Sequence, residues 1–290
     1  MAIWLLSFAI PKLQQIRLYI YDLKVKISVK KYSCEKMFKV PKVKLGSTGL
    51  EVSKLGIGPP TNLSPEEGGR LLIGSYELGV NFWDTSDDYG THPHIASALK
   101  HVPRKEVVIS TKTYAKSGEE ASESLKSSLK ELGTDYLDIF LLHFVKFDWI
   151  DSCHQVLKEM KDLKTTGIVK AIGLSTHSVA VARKAAQFEE LDVIMAICCK
   201  ADQTLINKFN ELIHLEEGCM REMFQALKVA HDNGKGVVAM KVLGGETPPL
   251  IKKYQAAIKG VAQLDFVDAM VIGMRNLDEI KKNLMAIAPS

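Results

Sequence analysis

Cysteine is scarce in this chain of 290 residues, and its placement excludes the usual cysteine-based sites. The number is odd, and the chain has no C-x-x-C pair and no cysteine cluster at metal-ligand spacing. The five cysteines are Cys34, Cys153, Cys198, Cys199 and Cys219. We therefore expect free thiols, no metal site and a reducing compartment, the cytoplasm.

The start of the chain also lacks an apolar run long enough to span a bilayer. The opening MAIWLLSFAI is apolar over only ten residues, and no positive charge precedes it. A spanning helix needs about 20 residues, and a secretory signal begins with basic residues, so we expect no stable membrane insertion. Either the segment is a weak interfacial anchor assisted by the lysines after it, or the natural start is Met37 and residues 1–36 are an upstream extension. The second explanation is preferred, because the patterned sequence begins just after Met37.

Basic residues are concentrated at the start, which leaves the rest of the chain slightly acidic. The whole chain carries +4, and its first 40 residues hold eight basic and two acidic side chains, a net +6, so the remaining 250 residues carry −2. Binding to a phosphate backbone requires basic residues clustered on the folded domain, so we expect no nucleic acid partner. We predict an N-terminal extension over residues 1–39, disordered or not native, and one domain over residues 40–290.

Short β-branched runs alternate with longer segments of helical periodicity from residue 40 onward. The pattern predicts eight strands, at Lys54–Gly58, Asn81–Asp84, Glu106–Lys112, Tyr136–His143, Val169–Ser175, Asp192–Cys198, Gly236–Lys241 and Val267–Gly273. It predicts helices at 65–78, 93–100, 119–132, 151–165, 178–187, 220–233, 250–264 and 277–287. Repeated strand-helix units imply a parallel sheet, either a closed eight-stranded barrel or an open doubly wound sheet.

The open sheet is disfavoured by a motif that the chain lacks. A dinucleotide-binding open sheet carries G-x-G-x-x-G between an early strand and its helix, and the nearest match, residues 234–239, begins a late strand. We therefore predict an α/β fold, a (β/α)8 TIM barrel. The earlier segment KVKLGSTGLEVSKL predicts two short strands around the Ser47-Thr48-Gly49 turn, an N-terminal β-hairpin that covers one end of the barrel.

Ionisable residues stand at the carboxyl ends of three consecutive predicted strands. Asp84 ends the second strand, Lys112 the third and His143 the fourth, while Tyr89 lies on the loop after the second. Reactive groups of a (β/α)8 barrel lie at this end of the strands, so we expect the four side chains to converge. For any one of these residues alone, a structural role would be the default interpretation. Four of them at the same end of the barrel predict an active site.

The four residue types suit the reduction of a carbonyl group. Hydride addition leaves negative charge on the carbonyl oxygen, which needs a proton donor. Tyrosine, whose ordinary pKa is about 10, can serve if a cation eases its ionisation, and Lys112 would supply that cation. Asp84 would hold Lys112 charged and in position, and His143 would orient the substrate oxygen or share the proton transfer.

The residues from about Val40 to Ser290 resemble the aldo-keto reductases. The resemblance rests on KLGSTGLEVSKLGIG, NFWDTSDDYG, VVISTK, LGTDYLDIFLLH, GIVKAIGLSTH and VIGMRNLDEIKKN, in this order. It implies a reductase whose catalytic tetrad is Asp84, Tyr89, Lys112 and His143. The segment KGVVAMKVLGG is most similar to a poorly characterised microbial subgroup, some members of which carry a C-terminal cysteine cluster for iron and sulfur, and this chain has no such cluster.

The resemblance also implies which residues hold a nicotinamide cofactor. The nicotinamide end falls on positions where the chain departs from the family's usual residues: Ser175, Thr176, Met240 and Lys241, with Met195 in place of the usual glutamine. The adenosine end, with its 2′-phosphate and adenine, falls on a better preserved motif: Gly273, Arg275, Glu279 and Asn283. Arg275 is a planar cation suited to phosphate, which favours NADPH over NADH.

Two functions remain open, and a third, a phosphate-binding barrel of another enzyme family that binds no nucleotide, is disfavoured. The first is an NADPH-dependent oxidoreductase that reduces a small-molecule aldehyde or ketone to an alcohol, with Tyr89 as the general acid. The alternative is a nucleotide-binding regulatory or scaffold barrel with little turnover, motivated by the altered nicotinamide contacts. Neither the natural substrate nor the oligomeric state follows from the sequence.

The loop that carries Tyr89 holds four further polar residues that could suggest chemistry of their own. His92 and His94 are spaced like metal ligands but lack partners in a ligand pattern, so we expect exposed loop or substrate-pocket histidines. Asp87 and Asp88 are expected to cap the turn.

Overall fold

The computed structural model describes residues 40–200, 215–244 and 254–288. In chain order its strands are β1 Lys42–Lys44, β2 Glu51–Ser53, β3 Leu55–Gly58, β4 Phe82–Asp84, β5 Val108–Thr113, β6 Leu137–Leu142, β7 Val169–Thr176, β8 Val193–Ile197, β9 Gly236–Met240 and β10 Ala269–Gly273. Its helices are α1 Pro65–Glu77, α2 His92–Leu99, α3 Gly118–Leu132, α4 His154–Thr165, α5 Val179–Ala185, α6 Met220–Asp232, α7 Tyr254–Ala262 and α8 Leu277–Ile287.

Strands β3 to β10 form a closed parallel barrel in which β10 pairs with β3 to complete the ring. Each barrel strand is followed by a helix, so the chain is a (β/α)8 TIM barrel, as predicted. All eight predicted strands are present, with ends within a few residues of the expected ones. Of the predicted helix at 250–264, residues 250–253 lie outside the described residues, as does the predicted extension at 1–39.

Local sequence explains where the first helix begins. Ser64 Oγ accepts from the backbone N–H of Glu67, and the Glu67 carboxylate accepts from the backbone N–H of Ser64, a reciprocal capping box. Pro65 occupies the first turn, where its missing N–H has no partner to lose. The helix then buries Leu71 and Leu72 against the barrel. Among the described residues, no helix is long and apolar enough to cross a membrane.

Alternation along each strand separates two apolar layers. On β4, Phe82 faces inward and packs in a cluster with Ile139 and Val193 of other strands. Its neighbour Trp83 faces outward and packs against the helix layer, in the same cluster as Leu72. Both aromatic side chains are fully buried, and the burial of Phe82 contributes about 1.5–3 kcal/mol. The inner layer fills the amino end of the barrel and leaves the carboxyl end for polar residues.

The predicted hairpin is present and seals the amino end of the barrel. Strands β1 and β2 pair antiparallel, and Leu45 at the turn joins the inner apolar cluster. The turn is held by the backbone N–H of Gly46, which donates to Asp268 Oδ2 at 3.2 Å, and by that of Ser47, which donates to the Gly234 carbonyl at 2.8 Å. The inner cluster is therefore closed on the side opposite the polar residues.

We expect Gly46→Ala to destabilise the fold much more than Gly49→Ala. Both glycines have positive φ, +50° and +77°, so alanine is strained by about 1–2 kcal/mol at either position. A Cβ on Gly46 would lie 2.3 Å from the backbone N of Gly236, whereas a Cβ on Gly49 has no described atom within 4 Å. The first substitution should therefore cost a further 1–3 kcal/mol or so, measured by urea unfolding. Equal losses would show that the hairpin does not pack closely on the barrel.

Candidate active site

The structure brings Asp84, Tyr89, Lys112 and His143 together at the carboxyl end of the barrel. Asp84 is the last residue of β4, Lys112 lies near the end of β5, and His143 directly follows β6. Because parallel strands end at the same edge, consecutive strands place these side chains side by side. The expected convergence is therefore observed, while the roles assigned to the four residues stay predictions.

A buried ion pair lies at the base of the cluster. Lys112 Nζ donates to Asp84 Oδ2 at 2.7 Å and to the Thr85 carbonyl at 2.6 Å. The Lys112 side chain is 2% exposed, so its charge is compensated by the carboxylate and the carbonyl rather than by water. Burial raises the pKa of Asp84, and the Lys112 ammonium opposes that rise.

Tyr89 lies above this ion pair and reaches His143. Its hydroxyl is 3.3 Å from His143 Nε2, and Lys112 Nζ lies 5.2 Å from the centroid of its ring. The residue is 39% exposed, so the phenol contacts both the buried cation and the open mouth of the barrel. A group in this position can exchange a proton with a molecule that enters from solvent.

Backbone hydrogen bonds fix the loop that carries Tyr89. The N–H of Thr85 donates to the Ser110 carbonyl at 2.9 Å, and the N–H of Asp87 donates to the Lys112 carbonyl at 3.1 Å, so the loop continues the pairing with β5. The N–H of Tyr89 then donates to the Ser86 carbonyl at 3.3 Å and closes a turn. The phenol is thus presented by a loop tied to the strand that carries the lysine.

The His143 imidazole is enclosed by residues that the sequence analysis did not assign to the site. Its Nδ1 lies 3.0 Å from Ser86 Oγ and 3.6 Å from Asp88 Oδ1. The Tyr114 ring packs on it at 4.5 Å between centroids. Burial and the Lys112 ammonium lower the pKa of His143 to about 4, against the opposing effect of Asp88. The ring is therefore neutral at physiological pH.

The aspartates beside Tyr89, which were expected to cap the turn, contact side chains beyond it. Asp87 Oδ2 accepts from Ser124 Oγ of α3 at 3.0 Å, which ties the loop to the helix layer. Asp88 is partly exposed and points toward Nδ1 of His143. Two adjacent carboxylates in the sequence could have indicated a negative charge near the site. The turn that places Asp88 beside the imidazole could not be predicted, because it does not follow from the periodicity of the sequence.

Of the two alternatives for His92 and His94, exposed loop or substrate-pocket histidines, the first is wrong. Both are buried at the start of α2. His92 Nε2 lies 2.8 Å from Thr111 Oγ1 and its Nδ1 2.7 Å from Glu131, while His94 Nε2 lies 2.9 Å from the Leu63 carbonyl. These contacts join α2 to β5, to α3 and to the segment before α1. Within the described ranges, no group of three or more His, Cys, Asp or Glu side chains is placed to hold a metal ion.

The two polar residues at the end of β7 are engaged by the loop after β6. Ser175 Oγ accepts from the Phe144 N–H at 2.9 Å, which leaves the Ser175 hydroxyl hydrogen to donate elsewhere. Thr176 Oγ1 donates to the Val145 carbonyl at 2.8 Å and accepts from the Ser178 N–H at 3.0 Å. Of this pair, Ser175 can therefore donate to a carboxamide, and the donor of Thr176 is already used.

The end of β9 presents one apolar and one basic residue. Met240 is half-buried, and Lys241 follows it with φ of 55°, a left-handed conformation that costs a non-glycine residue about 1–2 kcal/mol. Met195 on the neighbouring strand β8 is buried in the inner apolar cluster, where glutamine would offer an amide. The wall beside Ser175 is thus less polar than the family pattern implies.

The end of β10 leads into a helix whose first turn carries an ion pair. Asn276 Oδ1 caps α8 by accepting from the Glu279 N–H at 2.9 Å. Glu279 in turn accepts from the Arg275 backbone N–H at 2.8 Å and from the Arg275 Nη2 at 2.8 Å. The Arg275 side chain is 72% exposed. Gly273 ends β10 beside this turn, and Asn283 is buried one turn beyond Glu279.

Comparisons with known proteins agree on one family. The sequence model of the Aldo/keto reductase family matches residues 49–253. A Glycine max relative that bears the aldo-keto reductase name is 32% identical over 164 residues, an alignment that covers 49% of this chain and 47% of that protein. The NADH-specific methylglyoxal reductase of Escherichia coli is 25% identical over 220 residues, or 64% of this chain and 67% of that protein.

A solved structure from Pseudomonas aeruginosa that is assigned to the aldo-keto reductases superimposes with a TM-score of 0.70. It is 25% identical to this chain, and the alignment covers 87% of this chain and 96% of that one. The barrel is therefore shared along nearly its whole length.

We expect the free energy of unfolding to depend less on pH when His143 is replaced by Gln. The pKa of His143 is near 4 in the folded protein and about 6.5 when unfolded, so the unfolded chain binds the extra proton as pH falls below 6.5. Stability contributed by the neutral ring is thus present above pH 6.5 and is lost toward pH 4. Between pH 7 and pH 5 the variant should lose about 1–2 kcal/mol less than the parent, by urea unfolding at each pH. The same loss in both proteins would show that burial does not lower the pKa of His143.

Proposed function

Since the chain belongs to the aldo/keto reductase family, we propose that it reduces an aldehyde or ketone to an alcohol with NADPH, using Tyr89 as the general acid. Family and fold together make it an oxidoreductase of small carbonyl compounds. One observation carries the finer proposal: the buried Lys112 ammonium is paired with Asp84 and lies 5.2 Å from the ring centroid of a half-exposed tyrosine.

Tyr89 donates the proton in this mechanism. NADPH, when bound, supplies a hydride for the carbonyl carbon. The oxygen of the carbonyl group then gains negative charge, and the Tyr89 O–H bond breaks as its proton moves to that oxygen. The phenolate left behind is stabilised by Lys112, whose charge cannot be screened by water in the buried pocket.

Asp84 and His143 act on this proton donor from two sides. Asp84 keeps Lys112 oriented, since the ammonium would otherwise point away from the phenol or lose its charge on burial. His143, neutral and 3.3 Å from the phenol oxygen, fixes the direction of the Tyr89 hydroxyl. The proton donor is thus positioned before a substrate arrives, which lowers the reorganisation needed during the reaction.

The residues at the other strand ends fit a nicotinamide nucleotide. The free hydroxyl hydrogen of Ser175 can donate to the carboxamide, and half-buried Met240 offers an apolar contact beside it. Thr176 and Lys241 would border the same end through their backbone. Arg275, at the start of α8, would take the 2′-phosphate, with Gly273 beside it and Glu279 and Asn283 toward the adenine. NADPH is proposed on the strength of Arg275, although the similar Escherichia coli enzyme is NADH-specific.

Two observations favour the second candidate, a nucleotide-binding barrel with little turnover. The Thr176 hydroxyl already donates to the Val145 carbonyl, and Met195 provides no amide. Fewer polar groups are therefore left to orient the nicotinamide. Such a protein would bind NADPH but leave a broad panel of aldehydes unreduced. The geometry of the ion pair and the phenol favours the reductase, because a scaffold has no need of a buried ammonium beside an exposed tyrosine.

The cytoplasm is proposed as the compartment. The four cysteines within the described residues are free, and three of them are buried. Burial raises the pKa of Cys153 to about 11 and that of Cys199 to about 12, so neither is a reactive thiolate. Free, unreactive thiols are typical of a reducing environment.

We expect Tyr89→Phe to lower kcat for aldehyde reduction at least 100-fold, because the phenol proton is lost while the ring and its packing stay. The Kd of NADPH, measured by fluorescence titration, should change little. Tyr76→Phe is the matched control, since it removes a tyrosine hydroxyl in the last turn of α1 that is bonded to Glu106, just before the amino end of β5. Full activity in the Tyr89 variant would overturn the assignment.

We expect Arg275→Met to raise the Kd of NADPH roughly tenfold or more and to leave that of NADH nearly unchanged. The guanidinium makes charge-assisted hydrogen bonds with a 2′-phosphate that only NADPH carries. Titration of the two nucleotides on one variant provides its own control. Equal weakening of both would mean that Arg275 acts through the helix start rather than through the phosphate.

A further inference from the structure

One carboxylate in the candidate active site has no cation beside it. Asp88 directly precedes Tyr89, and its Oδ1 is 3.6 Å from Nδ1 of His143. That ring is neutral at physiological pH, since burial and the Lys112 ammonium lower its pKa to about 4. Within the described part of the chain, no lysine or arginine nitrogen lies within 4.0 Å of the Asp88 carboxylate. The charge of Asp88 is therefore not neutralised by an ion pair.

The Asp88 side chain is held at the open end of the barrel. It is 44% exposed, so the carboxylate meets both the site and the solvent from which a substrate enters. Burial raises the pKa of Tyr114, and a hydrogen bond to Asp88 raises it further. The half-exposed Tyr114 ring in turn packs on His143 at 4.5 Å between centroids. Asp88, Tyr114 and His143 thus form one wall beside the Tyr89 phenol.

This wall lies close to the position that a substrate carbonyl group must take. To receive the Tyr89 proton, the carbonyl oxygen must approach the phenol to about 3 Å. The phenol oxygen is 3.3 Å from Nε2 of His143, and Asp88 is 3.6 Å from Nδ1 of the same ring. Only the imidazole therefore separates the carboxylate from the phenol, and the two lie within about 10 Å, the range over which charges act at 0.1 M ionic strength.

Two cations also act on this site, and neither cancels the charge of Asp88. Lys112 Nζ is paired with Asp84 at 2.7 Å, so its charge is compensated within the protein. Lys241, at the end of β9, acts on the His143 ring less strongly than Asp88 does. The side of the site that Asp88 borders is therefore negative.

We propose that Asp88 is a specificity-determining residue for the proposed reduction, on which this inference rests. Its charge repels a carboxylate or another anionic group that a substrate carries near its carbonyl group. The substrates favoured at this wall are neutral or cationic aldehydes and ketones, and carbonyl acids are disfavoured. A repulsive element of this kind discriminates between two substrates even where their attractive contacts are the same.

The test compares two aldehydes of nearly the same shape, meta-nitrobenzaldehyde and meta-formylbenzoate, which differ by one negative charge. The measured quantity is the kcat/KM of the anion divided by that of the neutral aldehyde, with NADPH at low ionic strength. We expect Asp88→Asn, which keeps the size of the side chain but removes its charge, to raise this ratio about fivefold or more. Asp88→Glu keeps the charge and should leave the ratio near that of the parent.

Asp87→Asn is the matched control. It removes the adjacent negative charge, but the Asp87 carboxylate accepts from Ser124 Oγ of α3 at 3.0 Å, whereas Asp88 borders His143. The ratio should therefore change little in this variant. A cationic probe, meta-trimethylammonio-benzaldehyde, provides a control of sign, because Asp88→Asn should reduce it less efficiently than the parent does, relative to the nitro compound.

The outcomes separate this inference from the function on which it rests. An unchanged ratio in Asp88→Asn, with both aldehydes reduced, would refute the role of Asp88 and leave the reductase assignment intact. Equal losses for the two aldehydes would also refute it, since they would show that Asp88 acts through His143 and not on the substrate's charge. The same rise in Asp87→Asn would assign the effect to the net charge of the loop. If the parent reduces neither aldehyde, the proposed function fails and this inference fails with it.

Discussion

The ion pair between Lys112 and Asp84 is the contact on which the rest of the site depends. Removing one partner would leave a buried charge uncompensated, at a cost of about 3–5 kcal/mol. Lys112 Nζ satisfies both Asp84 Oδ2 at 2.7 Å and the Thr85 carbonyl at 2.6 Å, so one cation ties β5 to the end of β4 and to the loop after it. Tyr89 stands on that loop. The Lys112 ammonium therefore sets both the electrostatic environment of the phenol and the position of the loop that carries it.

This ion pair is sustained by the way the barrel is closed beneath it. The inner apolar cluster fills the amino end, and Leu45 of the hairpin covers it. Water is thereby kept from the lower side of the lysine, which is why a charge there acts strongly on its neighbours. The same low polarity keeps His143 neutral, since burial lowers its pKa to about 4. The fixed cation and the neutral imidazole therefore depend on the apolar packing at the amino end of the barrel as well as on the polar residues at its carboxyl end.

Short β-branched runs between helical segments made the strands predictable, and the ends of those strands made three of the four central residues predictable. Reactive groups of a (β/α)8 barrel lie at the carboxyl ends of its parallel strands, so Asp84, Lys112 and His143 could be placed at one edge from the sequence alone. Ser86 could not, because its side chain is aimed by loop hydrogen bonds to β5 that no periodicity encodes. The exposure of His92 and His94 was misread although a helix was predicted at 93–100, because both are buried by partners distant in sequence: Thr111 and Glu131 for His92, and the Leu63 carbonyl for His94. Burial of loop and helix-start residues is decided by such tertiary contacts.

The proposed binding of a 2′-phosphate by Arg275 would require the guanidinium to exchange one partner for another. Arg275 already bonds to Glu279, whose carboxylate also accepts the Arg275 backbone N–H. An exposed pair of this kind contributes little to stability, whereas a phosphate can meet the guanidinium through two charge-assisted hydrogen bonds. In the NADPH site that we propose, a 2′-phosphate would therefore displace the carboxylate, and a nucleotide without it would leave the pair intact. Because Glu279 would compete for the same cation, its charge would reduce the advantage of NADPH over NADH.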